Sequence, residues 1–306
     1  MRITHIVTPD EAGMTLQQIL RGAMHLSGRE ARNAKARGGV TVDDAPFFSN
    51  QRVSAGMIVR VDLEEYAAAS ETGDVPVLLP EIVFEDDAFL AVHKPALLQC
   101  HPSPSAPRGS DTLEGRVSAY LGRPAHPVHR LDAETTGIVL FAKYPYVQAH
   151  LQDQMQRGSF VKAYQAWVCG VPAPRSGVVD APIAREHPDS FTRIVTPAGQ
   201  RAVSRYETLH TLALPGGACT SLLSLSPMTG RTHQLRVHMA HISCPLLGDM
   251  RYHTPESQQL SQALHLSYHQ LAAVSLSFIH PVSGETVTLQ HAPVFAFEPP
   301  DDSCSL

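Results

Sequence analysis

The chain has 306 residues, of which 43% are hydrophobic and 17% charged, with a formal charge of −5. That length and composition suit a globular protein with one large domain, a small companion and a sizeable core. No apolar run approaches the roughly 18 residues that a membrane helix needs, and Met1-Arg2-Ile3-Thr4-His5 lacks the apolar region of an export signal. Five cysteines, an odd number without C-x-x-C spacing, argue for reduced thiols in a cytoplasm and against disulfides or a thiolate metal site. The acidic balance counts mildly against non-specific nucleic-acid binding. It leaves room for a local basic cleft, because salt screens distant charges.

Leu16, Ile19 and Leu20 have helical spacing, and Ser27 with Glu30 has the spacing of a capping box that opens a second helix. That helix carries Arg29, Arg32, Lys35 and Arg37 and stops at Gly38-Gly39. Val40–Val42 followed by Asp43-Asp44 reads as a strand and a turn, and Val53, Met57, Ile58 and Val59 predict a closing strand pair around Gly56. This order, over residues 1–65, resembles the S-four-like RNA-binding fold. The resemblance implies RNA contact by Arg29, Arg32, Lys35 and Arg37; the plainer reading of four such residues is a solvated helix face. Small and polar residues over 66–79 read as a linker.

A second unit spans 80–297. Ile82–Pro95 predicts two strands around an acidic turn, with Lys94 as a strand-end lysine or an RNA contact. Asp111-Thr112-Leu113-Glu114 opens a helix running to about Leu121. Ile138–Ala142 is a short buried strand, Pro145 opens an amphipathic helix that Gly158 closes, and Lys162–Gly170 is another strand. Residues 171–215 read as strands and turns, Thr232 is placed to cap a helix bearing Leu235, Met239 and Ile242, and Leu271–Leu289 reads as a hairpin. Residues 298–306 read as a disordered tail.

The stretch His129-Arg130-Leu131-Asp132-Ala133-Glu134-Thr135-Thr136-Gly137 feeds the buried strand. On physics alone it is either a structural Arg–Asp pair or a carboxylate aimed into a cleft for nucleophilic or acid–base work. The residue string favours the second. It resembles the H-R-L-D-x-x-T-S-G motif of the RluA-type RNA pseudouridine synthases, with Thr136 in place of serine. Lys162-Ala163-Tyr164-Gln165-Ala166 resembles the family's K-x-Y-x-A segment, and Pro227-Met228-Thr229-Gly230-Arg231-Thr232-His233-Gln234-Leu235-Arg236 resembles P-x-T-G-R-x-H-Q-L-R. The chain departs from the family at Leu97 (usually glycine), at Cys244 (usually histidine), and at Leu271-Ala272-Ala273 (usually Leu-His-Ala).

The resemblance implies an α+β fold built on a mixed, mainly antiparallel central sheet, preceded by the small S-four-like domain. It implies isomerisation of uridine to pseudouridine in structured RNA, with Asp132 essential, Arg236 paired to it and Tyr164 stacked on the target base. Asp132 would add covalently or deprotonate the sugar; the residues are compatible with both. Arg130, His129, Arg231 and His233 become RNA contacts. The reaction changes no oxidation state, so no cofactor and no metal is expected. The expected partner is RNA, ribosomal ahead of transfer RNA, and the enzyme is expected to be monomeric and cytoplasmic. Three rivals stand beside this reading. A glycoside hydrolase would use Asp132 with Glu134. A metal hydrolase would draw on His126, His129, His233, His238 and His241. A non-catalytic RNA-binding module would bind RNA and leave it unchanged.

Overall fold

A computed structural model describes residues 1–63, 78–102 and 110–299. Most of the expected linker over 66–79, and residues 300–306 of the expected tail, lie outside the described residues.

The N-terminal unit contains β1 (Arg2–Ile6), α1 (Leu16–Arg21), α2 (Gly28–Ala36), β2 (Val40–Val42), β3 (Ala45–Pro46) and β4 (Ile58–Asp62). Both helices start at the capping boxes of their sequences, Thr15 with Gln18 and Ser27 with Glu30. The expected strand pair around Gly56 is corrected. Residues 54–57 turn into β4, which pairs with β1 on one side and β2 on the other. Strand β1 carries little sequence signal because Ile3 is its only buried residue.

The second unit runs β5 (Glu81–Glu85), β6 (Phe89–Lys94), α3 (Leu113–Leu121), β7 (His126–Pro127), β8 (Thr136–Ala142), α4 (Pro145–Arg157), β9 (Val161–Cys169), β10 (Ser176–Asp180), β11 (Ile183–Arg185), β12 (Arg193–Val195), β13 (Val203–Ala213), β14 (Cys219–Pro227), α5 (Gln234–His241), α6 (Pro255–Ala263), β15 (Leu271–Ile279) and β16 (Thr286–Gln290). Ten strands form one sheet in the order β10-β13-β14-β9-β15-β8-β6-β5, with β16 on β15 and β7 on β8. All pairs are antiparallel except β15 with β8, which is the mixed, mainly antiparallel sheet expected.

Every residue of β8 is buried, and its side chains alternate between two cores. Ile138, Leu140 and Ala142 join the cluster that includes Val147 and Leu151 of α4. Val139 and Phe141 join the cluster that includes Leu113 and Val117 of α3. The α4 cluster continues into the N-terminal unit through residues such as Ile3, Leu16 and Val59, and the His25 and His150 rings meet edge-on at 4.6 Å. The small unit is therefore packed on α4. Gly137 makes the parallel pairing possible: it has φ +110°, and a Cβ there would meet the Ala273 backbone oxygen at 2.2 Å.

Leu97 adopts φ +64° and is 68% exposed. The turn that the family usually gives to glycine is thus kept with a leucine in the left-handed region. Leu97→Gly should raise stability by about 0.5–1 kcal/mol, since relief of the left-handed strain exceeds the extra chain entropy of glycine. Thermal melting of the two proteins checks the sign.

Candidate active site

The loop before β8, the middle of β9 and the helix after β14 converge because β14, β9, β15 and β8 are consecutive in the sheet. Between them opens a cavity of about 910 Å³ whose lining includes Asp132, Tyr164 and Arg236. The three residues that the sequence singles out therefore share one cavity. Arg130, His129, Arg231 and His233 also line it.

Arg236 is buried on α5 and reaches two carboxylates. Its Nη1 donates to Asp132 Oδ2 at 3.2 Å. Its Nε and Nη2 form a fork on Asp249, at 2.7 and 2.9 Å, the bidentate geometry that suits a guanidinium. Its guanidinium also lies over the Tyr252 ring at 5.1 Å. Burial works against a charged Asp249, but the Arg236 bonds and charge outweigh it and bring the carboxyl down to about 2. The same partners hold Arg236 firmly protonated against the desolvation that opposes its charge.

A group whose folded pKa is depressed contributes stability above its unfolded pKa and loses it as pH falls. Asp249 drops from its ordinary 3.8 to about 2, so about 2 kcal/mol of stability should vanish between pH 4 and pH 2. Asp249→Asn should lack that part of the acid limb, which denaturant titrations across this range would detect.

The helix cap differs from the expectation. His233, not Thr232, is the N-cap of α5, with φ +57° and no side-chain cap. The loop is held by Gln234, which is buried and uses its whole amide. Gln234 Oε1 accepts from Thr229 Oγ1 at 2.7 Å and from the Arg231 N–H at 3.0 Å, and Nε2 donates to Val203 O and Ser204 Oγ, both at 2.9 Å. Gln234→Leu would orphan these buried groups and should destabilise the protein by about 2–4 kcal/mol, measurable as a lower midpoint in urea. His233, in the left-handed region, lines the cavity. Tyr252 Oη accepts the Arg193 N–H at 2.9 Å and shares a hydrogen bond with His233 Nδ1 at 2.7 Å. His233 Nε2 lies 3.8 Å from Asp132 Oδ2. Burial, above all, lowers His233 to about 4, so the ring is neutral at pH 7.

Tyr164 on β9 is buried, and burial followed by the nearby Asp132 charge pushes its phenol above the ordinary range. It stays protonated across working pH. Arg130 and Arg231 are exposed at the cavity rim. Arg130 Nη1 meets His101 Nε2 at 2.9 Å, and Arg231 donates to Arg201 O at 3.1 Å and to Gln200 Oε1 at 2.9 Å.

His129 lines the cavity but is largely buried. Its Nε2 accepts the Leu140 N–H at 3.3 Å, its ring sits edge-on to Phe160, and burial lowers it to about 3. Lys94 is corrected: it is wholly buried, and its ammonium donates to Pro95 O, Leu98 O and Ala133 O at 2.8, 2.7 and 2.6 Å. It ties the Leu97 turn to the residue after Asp132. Arg29, Arg32 and Lys35 of α2 and Arg37 at its C-cap are not among the residues that line the cavity. Arg29, Arg32 and Arg37 are exposed, whereas Lys35 is partly buried and bonded to Gln17.

Glu134 does not join Asp132 in the cavity. It pairs with His269 Nδ1 at 2.8 Å, while His269 Nε2 meets Thr135 Oγ1 at 2.8 Å. The loop thus meets an imidazole from position 269, although position 272 is a buried alanine. This arrangement removes the carboxylate pair of the glycosidase reading. The histidines of the metal-hydrolase reading are also dispersed: His238 is buried between Ser204 Oγ and Ala181 O, both at 2.9 Å. Among the described residues, the one group with metal-ligand geometry is Glu81, His93 and His291, outside the cavity.

Comparison with known proteins fits this geometry. The family model for RNA pseudouridylate synthases matches residues 88–241. An uncharacterised RNA pseudouridine synthase of Chloroflexus aurantiacus is 33% identical over 91% of this chain and 86% of its own length. A ribosomal large subunit pseudouridine synthase D of Pasteurella multocida is 34% identical over 83% of this chain and 77% of its own length. Among solved structures, human RNA pseudouridylate synthase domain containing 4 aligns with TM-score 0.56 and 27% identity, covering 70% of this chain and 88% of that one. The chain belongs to the RNA pseudouridylate synthase family. Within that family it is of the RluA type, an isomerase whose substrate is RNA. Among the described residues no helix is long and apolar enough to cross a membrane.

Proposed function

We propose that the protein converts specific uridines of ribosomal RNA to pseudouridine, with Asp132 as the catalytic carboxylate. The observation that carries this reading is the ion pair of Asp132 and Arg236 in the cavity that Tyr164 also lines. Similarity to proteins named for the large ribosomal subunit supports ribosomal RNA as the target.

The uridine leaves its stack at a cost of a few kcal/mol, and stacking on Tyr164 returns roughly 1–3 kcal/mol. Asp132 acts on the nucleoside so that the N1–C1′ bond breaks. The uracil turns, C5 bonds to C1′, the C5 proton leaves and N1 takes up a proton, with no net redox change. Arg236 fixes the carboxylate while Asp249 fixes Arg236. Arg130 and Arg231 at the rim hold phosphates or flanking bases. Arg29 and Arg32 on α2, with Arg37 at its C-cap, extend the RNA track. They belong to the unit packed on α4, whose Gln152 and Met155 line the cavity.

Pseudouridine mapping of total RNA with and without the gene tests the proposal. Loss of sites in ribosomal RNA is the expected outcome. Loss confined to transfer RNA would reassign the target, and an unchanged map would refute the reading.

A further inference from the structure

We infer a second site, unrelated to the isomerisation: a structural site for a divalent transition-metal ion, with Zn²⁺ as the best fit, held by Glu81, His93 and His291. The residues are far apart in the sequence and meet at one edge of the large sheet. Glu81 opens the edge strand β5 and stands directly across from His93 on β6. His291 follows β16. One ligand atom from each lies within 4.8 Å of the others.

The geometry is that of ligands. Glu81 straddles the two rings, with Oε2 3.0 Å from His93 Nδ1 and Oε1 3.3 Å from His291 Nε2. Zinc bonds of about 2.1 Å at the tetrahedral angle place neighbouring ligand atoms about 3.4 Å apart. His291 Nδ1 donates its proton to Ala292 O at 2.8 Å. This is the usual support of a metal-bound histidine, whose second nitrogen bonds a carbonyl and fixes the ring. It leaves Nε2 as the ring nitrogen that faces Glu81 Oε1. The His93 ring is stacked on that of His291 at 4.4 Å and 15°. His93 is 7% exposed and its Nε2 is enclosed without a partner, so Nδ1 is the only nitrogen of that ring placed to bind anything.

Two imidazoles and a carboxylate match zinc in donor type and leave a fourth position for water. The ion would pin β5 to the segment after β16, which also reaches the start of β8 where Thr136 Oγ1 donates to Val294 O at 3.0 Å. Binding therefore stabilises the edge of the sheet and adds no group to the cavity.

Equilibrium dialysis of the full chain against Zn²⁺ at pH 7.5, with melting curves, tests the site. The expected result is one tightly held ion per chain and a melting temperature that rises with zinc. Glu81→Gln, at an exposed position, and His291→Gln should each weaken uptake by at least about tenfold and abolish the thermal shift. Absence of one-to-one uptake would overturn the site. So would uptake that both variants retain, since the ion would then sit on other histidines.

Discussion

Asp132→Asn should slow pseudouridine formation by at least about 10³-fold, equivalent to about 4 kcal/mol or more of lost transition-state stabilisation, with the fold intact. The amide keeps the shape and an oxygen for the Arg236 Nη1 hydrogen bond, but it is neither a nucleophile nor a base. The fold should survive because Asp132 is partly exposed and Arg236 keeps its fork on Asp249. Conversion assays, a melting curve and an RNA-binding titration on the same variant separate these effects. Wild-type turnover by the variant would remove Asp132 from the chemistry.

Arg236→Met should be the most damaging single change to the fold among the cavity residues. The Asp249 side chain is fully enclosed, and removing its guanidinium partner strands a buried carboxylate. That loss costs about 3–5 kcal/mol, a large part of the 5–15 kcal/mol that stabilises an ordinary domain. Arg236→Lys should not restore stability or turnover, because a single ammonium cannot fork on Asp249 while also reaching Asp132. Urea unfolding should show a shifted midpoint for both variants, with Asp249→Asn in the Arg236→Met background recovering part of the loss. Full stability of Arg236→Met would show that the Asp249 pair carries no load.

Local pattern made much of this molecule legible in advance. The spacing of Leu16, Ile19 and Leu20 marked α1, the Ser27–Glu30 capping box marked α2, Pro145 and Gly158 bracketed α4, and the β-branched run after Gly137 marked β8, each a signal carried by a few adjacent residues. The motifs placed Asp132, Tyr164 and Arg236 in one cavity. What stayed hidden depends on contacts between distant segments. Lys94 looks like a surface lysine until the Leu97 turn and Ala133 close over it. Nothing local showed that Asp249 would share Arg236 with Asp132. His233 replaced Thr232 as the cap because Gln234 holds the loop from inside, in bonds to β13 that no helical spacing encodes. The cluster of Glu81, His93 and His291 has no motif spacing at all, since a strand pair and a returning segment assemble it.

The most direct measurement follows the hydrogen on C5 of uridine. Purified protein should be incubated with ribosomal RNA labelled with tritium at that carbon, and released tritium, pseudouridine and free uracil quantified together. Isomerisation predicts tritium release equal to the pseudouridine formed, with no free base. Accumulating uracil would mean that the glycosidic bond is cut without being remade. Bound RNA that keeps all its label would mean that the cavity performs no isomerisation.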